Sequence, residues 1–411
     1  MSTKVLIIAD DLTGALDTGV QMAKAGAKVL PKVPTDISGF QGSEVLIVNT
    51  DSRHCPSSFA YDQTRRVAAL AKQAGVPVVY KKTDSAMRGN IGAELAGAMD
   101  GSSQKHLYFV PAFPKLNRFT VNGIQYIEGK PLAQSAFQKD PLNPATESSV
   151  LNIISHQTNH SISLVHCAEN PESATKADIM VFDSDSESRM QDIAEYLARQ
   201  EKPLLLGGCA GLAYYLPQIC DIQMQGNLPV CKGQTGVLVI SGSLNSANVE
   251  QISYAVSNGF EMRSAFELDG FFDSDNFEPN PAQIDALICQ YRYSRRMILS
   301  VKRPECELDI DVNTDEWIQQ SLRINNNIGK VVTVLFEHGL DALLVVTGGD
   351  TLGGITASLD IKYLRPCSEI EPGVVVTHFH ANDKPHFLVA KAGSFGSISV
   401  YDNIFRTFCQ T

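Results

Sequence analysis

The stretch Val5-Leu6-Ile7-Ile8-Ala9-Asp10-Asp11-Leu12-Thr13-Gly14-Ala15 decides how this chain is read. Five apolar residues in an unbroken run suit a strand covered on both faces, because a strand with one wet face alternates. The run stops at two acids, and a helical pattern over Thr13–Ala25 follows at once. Strand, polar loop, helix is the start of a βαβ unit. The same grammar recurs along the chain. Val45–Asn49, Val76–Lys81, Leu107–Pro111, Ile162–Val165, Ile179–Phe182 and Leu204–Leu206 read as further buried strands. Helices are expected between them at Ser57–Gln73, Ile91–Met99, Glu187–Arg199 and Ala210–Tyr215. A second series begins with Val237–Ile240 and continues through Met297–Ser300, Ala342–Val346, Val374–Thr377 and Phe387–Lys391. Its helices are expected at Ser246–Asn258, Asp315–His338 and Leu352–Leu359. Between the series, Gln223–Gln234 carries Gly226, Pro229 and Gly233, the chemistry of a linker. The expectation is two doubly wound, three-layer α/β domains with mainly parallel sheets, 1–228 and 229–411.

Composition narrows the function. The 411 residues are 44% apolar and 19% charged, which excludes intrinsic disorder. Lys plus Arg number 34 against 45 Asp plus Glu, a net charge of −11, so neither nucleic acid nor an anionic membrane is expected as a partner. The first apolar run is too short for a signal peptide, and no run is long enough to span a bilayer. The nine cysteines form no C-x-x-C pair, so they read as reduced thiols in a cytoplasmic protein.

Chemistry concentrates just after strands, where ligands bind in doubly wound sheets. Asp10 and Asp11 can accept a proton from a hydroxyl or face a magnesium ion, and one of them also suits the N-cap of the next helix. Lys81-Lys82-Thr83-Asp84-Ser85-Ala86-Met87-Arg88 gathers cations and hydroxyls in a chain short of cations, and Asn49–His54 repeats the design around Arg53. In the second half, Ser241-Gly242-Ser243, Thr347-Gly348-Gly349-Asp350-Thr351 and Lys391-Ala392-Gly393-Ser394 are strand-to-helix turns of the kind whose N–H groups approach phosphates. No G-x-x-x-x-G-K-[ST] is present, so this is not a P-loop. His378, His380 and His386 lack a partner at ligand spacing and are read as structural, so no metal ligand is assigned. The stretch Pro111–Pro144, with prolines 111, 114, 131, 141 and 144, is expected as a long packed loop.

Taken together, these motifs resemble the four-carbon acid sugar kinases. The likeness runs from Ile8-Ala9-Asp10-Asp11-x-Thr13-Gly14 and Asp17–Gln21 through Val48–Arg53, Tyr80–Ser85 with Arg88–Glu94, and Pro111–Pro114. It continues in Gly129-x-Pro131-Leu132, Ser241-Gly242-Ser243 and Thr347–Asp350. The chain departs from the family pattern at Ala86-Met87, at Lys115–Thr120 and at Ser394. The resemblance implies an N-terminal domain for the sugar acid and a C-terminal domain for ATP. The terminal 4-hydroxyl of an acid such as D-threonate or D-erythronate would be phosphorylated, with 3-oxo-tetronate or another small sugar acid as the alternative. By position it points to Asp11, Arg53, Lys82, Thr83, Asp84 and Ser85 for the acid, and to Ser243, Gly348, Gly349, Asp350, Thr351 and Gly393 for ATP. The residue reading adds Asp10, Arg88 and Ser241. Arg53 and Lys82 would hold the carboxylate, Asp11 or Asp84 would orient or deprotonate the hydroxyl, and Mg2+ would bridge the phosphates. A homodimer is compatible with all of this. The non-enzyme alternative is a metabolite-binding regulator, for which no DNA-binding motif speaks.

Overall fold

Val5–Ala9 is buried along its whole length and forms strand β1, an interior strand of an eight-stranded parallel sheet. The computed structural model describes residues 2–40, 42–140, 143–167, 170–173, 177–224, 226–243, 245–272, 276–301, 315–381 and 384–409. Pro141 and Gln225, which entered the sequence reading, lie outside these residues. The chain divides into two compact units, Met1–Asn227 and Leu228–Thr411.

In the first unit β1 is joined by β2 (Lys28–Leu30), β3 (Val45–Asn49), β4 (Val78–Lys82) and β5 (Leu107–Val110). A separate small sheet holds β6 (Arg118–Val121), β7 (Ile124–Ile127) and β8 (Lys130–Pro131). Then come β9 (Ile162–Val165), β10 (Ile179–Phe182) and β11 (Leu204–Gly208). The large sheet runs β2-β3-β1-β4-β11-β5-β10-β9. The chain leaves β1 toward β3 and later returns to the other side at β4, so the order reverses between β1 and β4. Helix α1 (Leu12–Val20) follows β1, α2 (Ser57–Gln73) follows β3 and α3 (Ile91–Ser102) follows β4. The core joins Leu6, Ile8, Val48 and Val79 of the sheet to Val67 of α2 and Leu95 of α3.

Two expectations are corrected here. The helix expected over Thr13–Ala25 ends at Val20, and only a single tight turn, Ala23–Ala25, follows before Gly26 reverses the backbone at φ +74°. The stretch expected as a packed loop over Pro111–Pro144 instead contains the antiparallel β6–β8 sheet. Its hairpin turns on Asn122-Gly123, both at positive φ (+51° and +70°), the pairing that a tight two-residue hairpin favours. Asp183 accepts the N–H groups of both turn residues, at 2.8 and 2.9 Å.

The second unit contains β12 (Val237–Ser241), β13 (Glu261–Ser264), β14 (Arg296–Ser300), β15 (Leu343–Thr347), β16 (Arg365–Glu371), β17 (Val374–Ala381) and β18 (Lys384–Lys391). Their order is β13-β14-β12-β15-β18-β17-β16, reversing between β12 and β15. β17 is antiparallel to both its neighbours. Two positions separate β17 from β18, too few for a parallel crossover. Elsewhere the pairing is parallel, so both units are doubly wound α/β domains with mainly parallel sheets flanked by helices. Among the described residues, no helix is long and apolar enough to cross a membrane.

Candidate functional site

In the first unit the polar strand ends converge beside the reversal point. Asp10 and Asp11 follow β1, Arg53 lies just beyond β3, and Lys82–Ser85 close β4. Arg53 is the hub. Its guanidinium donates to Asp10 from Nε (2.7 Å) and Nη2 (3.0 Å), and to Asp11 from Nη1 (2.9 Å) and Nη2 (2.8 Å). Asp11 also caps α1, with Oδ1 accepting from Gly14 N (3.0 Å) and Oδ2 from the Thr13 hydroxyl (2.7 Å). Gly89, at φ +86°, lets the backbone pass against Arg53, where a Cβ would stand 3.1 Å from the arginine's Cγ and carbonyl oxygen. Burial pushes the Asp10 carboxyl up, but Arg53, Lys81 and Lys82 outweigh it and hold the group below the ordinary carboxylate value.

A second arginine organises Asp84. Arg88 donates to it from Nε (2.7 Å) and Nη2 (3.0 Å), and to Asp140 from Nη1 (2.8 Å). Burial alone would raise the Asp84 carboxyl, yet Arg88, Arg53 and Arg118 keep it well below its ordinary value. Arg118, from β6, donates to the Ser85 hydroxyl. The Phe137 ring lies under both Arg88 (5.1 Å) and Arg118 (5.4 Å). Burial is also the largest influence on Arg118, lowering its pKa, with Asp84 opposing.

Most of the cations after these strands, Arg53, Lys81 and Arg88, are matched by acids of the chain. Lys81 is fully buried and pairs with Glu94 at 3.0 Å, while Ser52 donates to the same carboxylate. Arg53 is committed to Asp10 and Asp11, and Arg88 to Asp84 and Asp140. Lys82 differs from these. It is buried, donates to the Thr83 carbonyl at 3.0 Å, and forms no ion pair among the described residues. Next to it the Thr83 hydroxyl is buried without a hydrogen-bond partner among the described residues. A Cβ on Gly14 would stand 3.0 Å from the Lys82 ammonium, so the glycine opens the start of α1 to that charge. Of the two adjacent acids, Asp11 is the more exposed, with 17% of its side chain exposed against 1% for Asp10.

In the second unit Ser241, Thr347 and Lys391 end adjacent parallel strands in register. The turns that follow touch one another. A Cβ on Gly242 would collide with the Thr351 hydroxyl, and one on Gly393 with the Ser243 hydroxyl. Gly348 sits at φ +108°, a region that favours glycine. Beneath the turns runs a buried polar chain. Thr347 and Tyr401 share a hydroxyl contact of 2.9 Å, Tyr401 donates to Asn248 (2.6 Å), and Asn248 donates to the Ser241 hydroxyl and the Ser243 carbonyl, both at 3.0 Å. Ser241 therefore supports its turn from below. Gly348, Gly349 and Thr351 open the helix Gly349–Ser358, and Asp350 lies exposed in its first turn. Two backbone N–H groups tie the strand ends together: Gly242 donates to Thr347 O (3.0 Å) and Gly348 to Lys391 O (3.2 Å). No cluster of three or more His, Cys, Asp or Glu able to hold a metal occurs among the described residues.

Sequence reasoning did not single out Arg118, Phe137, Asp140, Asn248, Tyr401 or Lys391 as site residues. Lys391 left a signal, as a lysine ending an otherwise apolar strand before a glycine turn. Arg118 left none, because what brings it to Ser85 is the hairpin that was read as loop.

A model of a sugar-binding N-terminal domain matches residues 5–216, and a model of a nucleotide-binding C-terminal domain matches 238–400. A D-threonate kinase of Salmonella typhimurium is 31% identical over 96% of this chain and 96% of its own. The chain belongs to the four-carbon acid sugar kinase family. That makes it an ATP-dependent sugar-acid kinase. A 3-oxo-tetronate kinase of Pseudomonas savastanoi is 23% identical, covering 95% of this chain and 94% of its own. A solved Salmonella typhimurium structure, 22% identical, shares the fold at a TM-score of 0.76 over 98% of this chain and 99% of its own.

Proposed function

We propose that the protein transfers the γ-phosphoryl group of ATP to the terminal hydroxyl of a four-carbon sugar acid, with D-threonate or D-erythronate as the acceptor. The observation that carries this reading is the strand-end set of the first unit. Lys82 is buried without an ion pair among the described residues, next to the orphaned Thr83 hydroxyl and Asp11, the more exposed of the two acids after β1. An acid bearing hydroxyls supplies what these three groups lack. Lys82 takes the carboxylate, Thr83 and Ser85 hydrogen-bond along the acid, and Asp11 orients the attacking hydroxyl. Arg53 does not reach the substrate itself, because its fork is filled by Asp10 and Asp11. It fixes those acids, as Arg88 fixes Asp84.

Both Asp11 oxygens already accept hydrogen bonds, and the reaction asks little of a general base. Phosphoryl transfer runs through a loose transition state in which positioning and charge neutralisation dominate. In the second unit Ser243, Gly348–Thr351 and Gly393 line the nucleotide's phosphates. Magnesium bound with the nucleotide would neutralise charge on those phosphates. All eight described cysteines are free thiols, and we place the enzyme in the cytoplasm.

The test is ADP release with Mg-ATP across a panel of D-threonate, D-erythronate, 3-oxo-tetronate and the neutral polyol erythritol. Turnover with threonate or erythronate and none with erythritol is expected. Preference for 3-oxo-tetronate would move the acceptor to the oxidised acid, and turnover with erythritol would sink the role given to Lys82.

A further inference from the structure

Lys391 ends β18 beside Thr347 and Ser241, yet the mechanism above does not use it. Its side chain is fully buried. Among the described residues its ammonium donates only to carbonyls of its own turn, Ala392 O and Gly393 O, each at 3.2 Å. It forms no ion pair among the described residues. Among the described residues, Glu371 and Tyr401 are the titratable groups that face it. Glu371, ending β16, spends its carboxylate on the Ser397 hydroxyl (2.9 Å) and the Asn403 amide (3.0 Å). Tyr401, from helix Val400–Phe408, has its ring 5.9 Å from the ammonium and donates its hydroxyl to Asn248. Burial pushes that phenol further up, so it stays neutral.

A full positive charge is thus held out of water by two long bonds to neutral carbonyls. Such a charge is costly unless a counter-ion completes it. Burial pulls the Lys391 ammonium down to about 7, with Glu371 only partly opposing. The carbonyl of Gly393 that it holds belongs to the turn packed on Ser243. The surrounding turns offer partial charges from N–H groups, and this one side chain offers a whole one.

We propose that Lys391 is the cationic contact for the nucleotide's phosphates in this unit, and that it takes up a proton when the nucleotide binds. The inference rests on the nucleotide reading of the second unit. In the free chain the neutral amine and the ammonium coexist near neutral pH. Beside a phosphate oxygen only the ammonium is favoured, so one proton moves from solvent onto Nζ and no covalent bond forms.

Titration calorimetry of the full chain with Mg-ADP, in two buffers of different ionisation enthalpy, reads this directly. From a free value of about 7, linkage gives uptake of about half a proton at pH 7 and nearly a whole one at pH 8. Affinity falls about tenfold from pH 6 to pH 8 on the same linkage. The nucleotide's own phosphate ionises near pH 6 in every variant, so it cancels in the comparison. Lys391→Met should bind at least tenfold more weakly at pH 6, without the pH dependence. Lys391→Arg should restore binding and remain independent of pH. Wild-type binding without proton uptake, or unchanged affinity in K391M, overturns the assignment of Lys391. No binding of Mg-ADP by the wild type overturns the nucleotide reading itself.

Discussion

Replacing Arg53 by leucine tests whether this arginine is structural support for the acids. Its side chain is 11% exposed and its partner Asp10 only 1%, so the substitution strands a buried carboxylate. Removing one partner of a buried pair costs about 3–5 kcal/mol, because the remaining charge keeps its desolvation penalty. For a unit of about this size each kcal/mol moves the melting temperature by roughly 2–4 °C, so R53L should lower the first unit's transition by about 6–20 °C. Differential scanning calorimetry of the full chain measures this, and the second unit's transition should stay in place. The pH dependence has a defined sign. In the wild type Asp10 titrates below its unfolded value, so its contribution is full above that value and is lost as pH falls through the folded one. In R53L the largest influence left on Asp10 is burial, which raises its value, so protonation relieves the penalty on acidification. The gap between R53L and wild type should therefore shrink from pH 8 to pH 5. Adding Asp10→Asn to R53L should recover part of the loss at pH 8. A shift below about 2 °C, or a gap that widens toward pH 5, would refute the hub role of Arg53.

Three further outcomes are expected. Lys82→Met should raise the KM for the acid by roughly 10–100-fold, the worth of hydrogen bonds to a charged group, with nucleotide affinity unchanged by calorimetry. Asp11→Asn should lower kcat by roughly 100-fold in the ADP-release assay; near wild-type turnover would remove Asp11 from the reaction. Gly348→Ala, forced to φ +108°, should strain its turn by about 1–3 kcal/mol and weaken Mg-ADP binding while binding of the acid persists.

The parallel strands were legible because both their faces are covered, which leaves unbroken apolar runs such as Val45–Asn49 and Leu343–Thr347. The two edge strands of the second unit escaped for the converse reason. Glu261–Ser264 and Arg365–Glu371 are polar and partly exposed, so no run or alternation marks them. The helix Val400–Phe408 escaped although Val400, Tyr401, Ile404, Phe405 and Phe408 recur at helical spacing and are buried. The Asn122-Gly123 hairpin was equally visible and was outweighed by the surrounding prolines. At the site, the polar strand ends could be read, because acids, lysines and glycines after apolar runs are conspicuous. Their pairing could not. Arg53 meets Asp10 across 43 positions and Arg118 meets Ser85 across 33, distances over which a single sequence holds no record of contact. Of the four cations after these strands, Arg53, Lys81, Lys82 and Arg88, three are therefore matched by acids that the sequence does not place beside them.

The central claim is transfer of a phosphoryl group to the C4 hydroxyl of a small acid, and the position of phosphorus in the product tests it most directly. The protein, Mg-ATP and D-threonate or D-erythronate are incubated, and the product is read by proton–phosphorus correlation NMR. The expected result is one ADP per acid consumed, with phosphorus coupled to the two protons of C4. Phosphorus coupled to C2 or C3, a phosphate with no proton coupling as in an acyl phosphate, or ADP formed without loss of acid would contradict it.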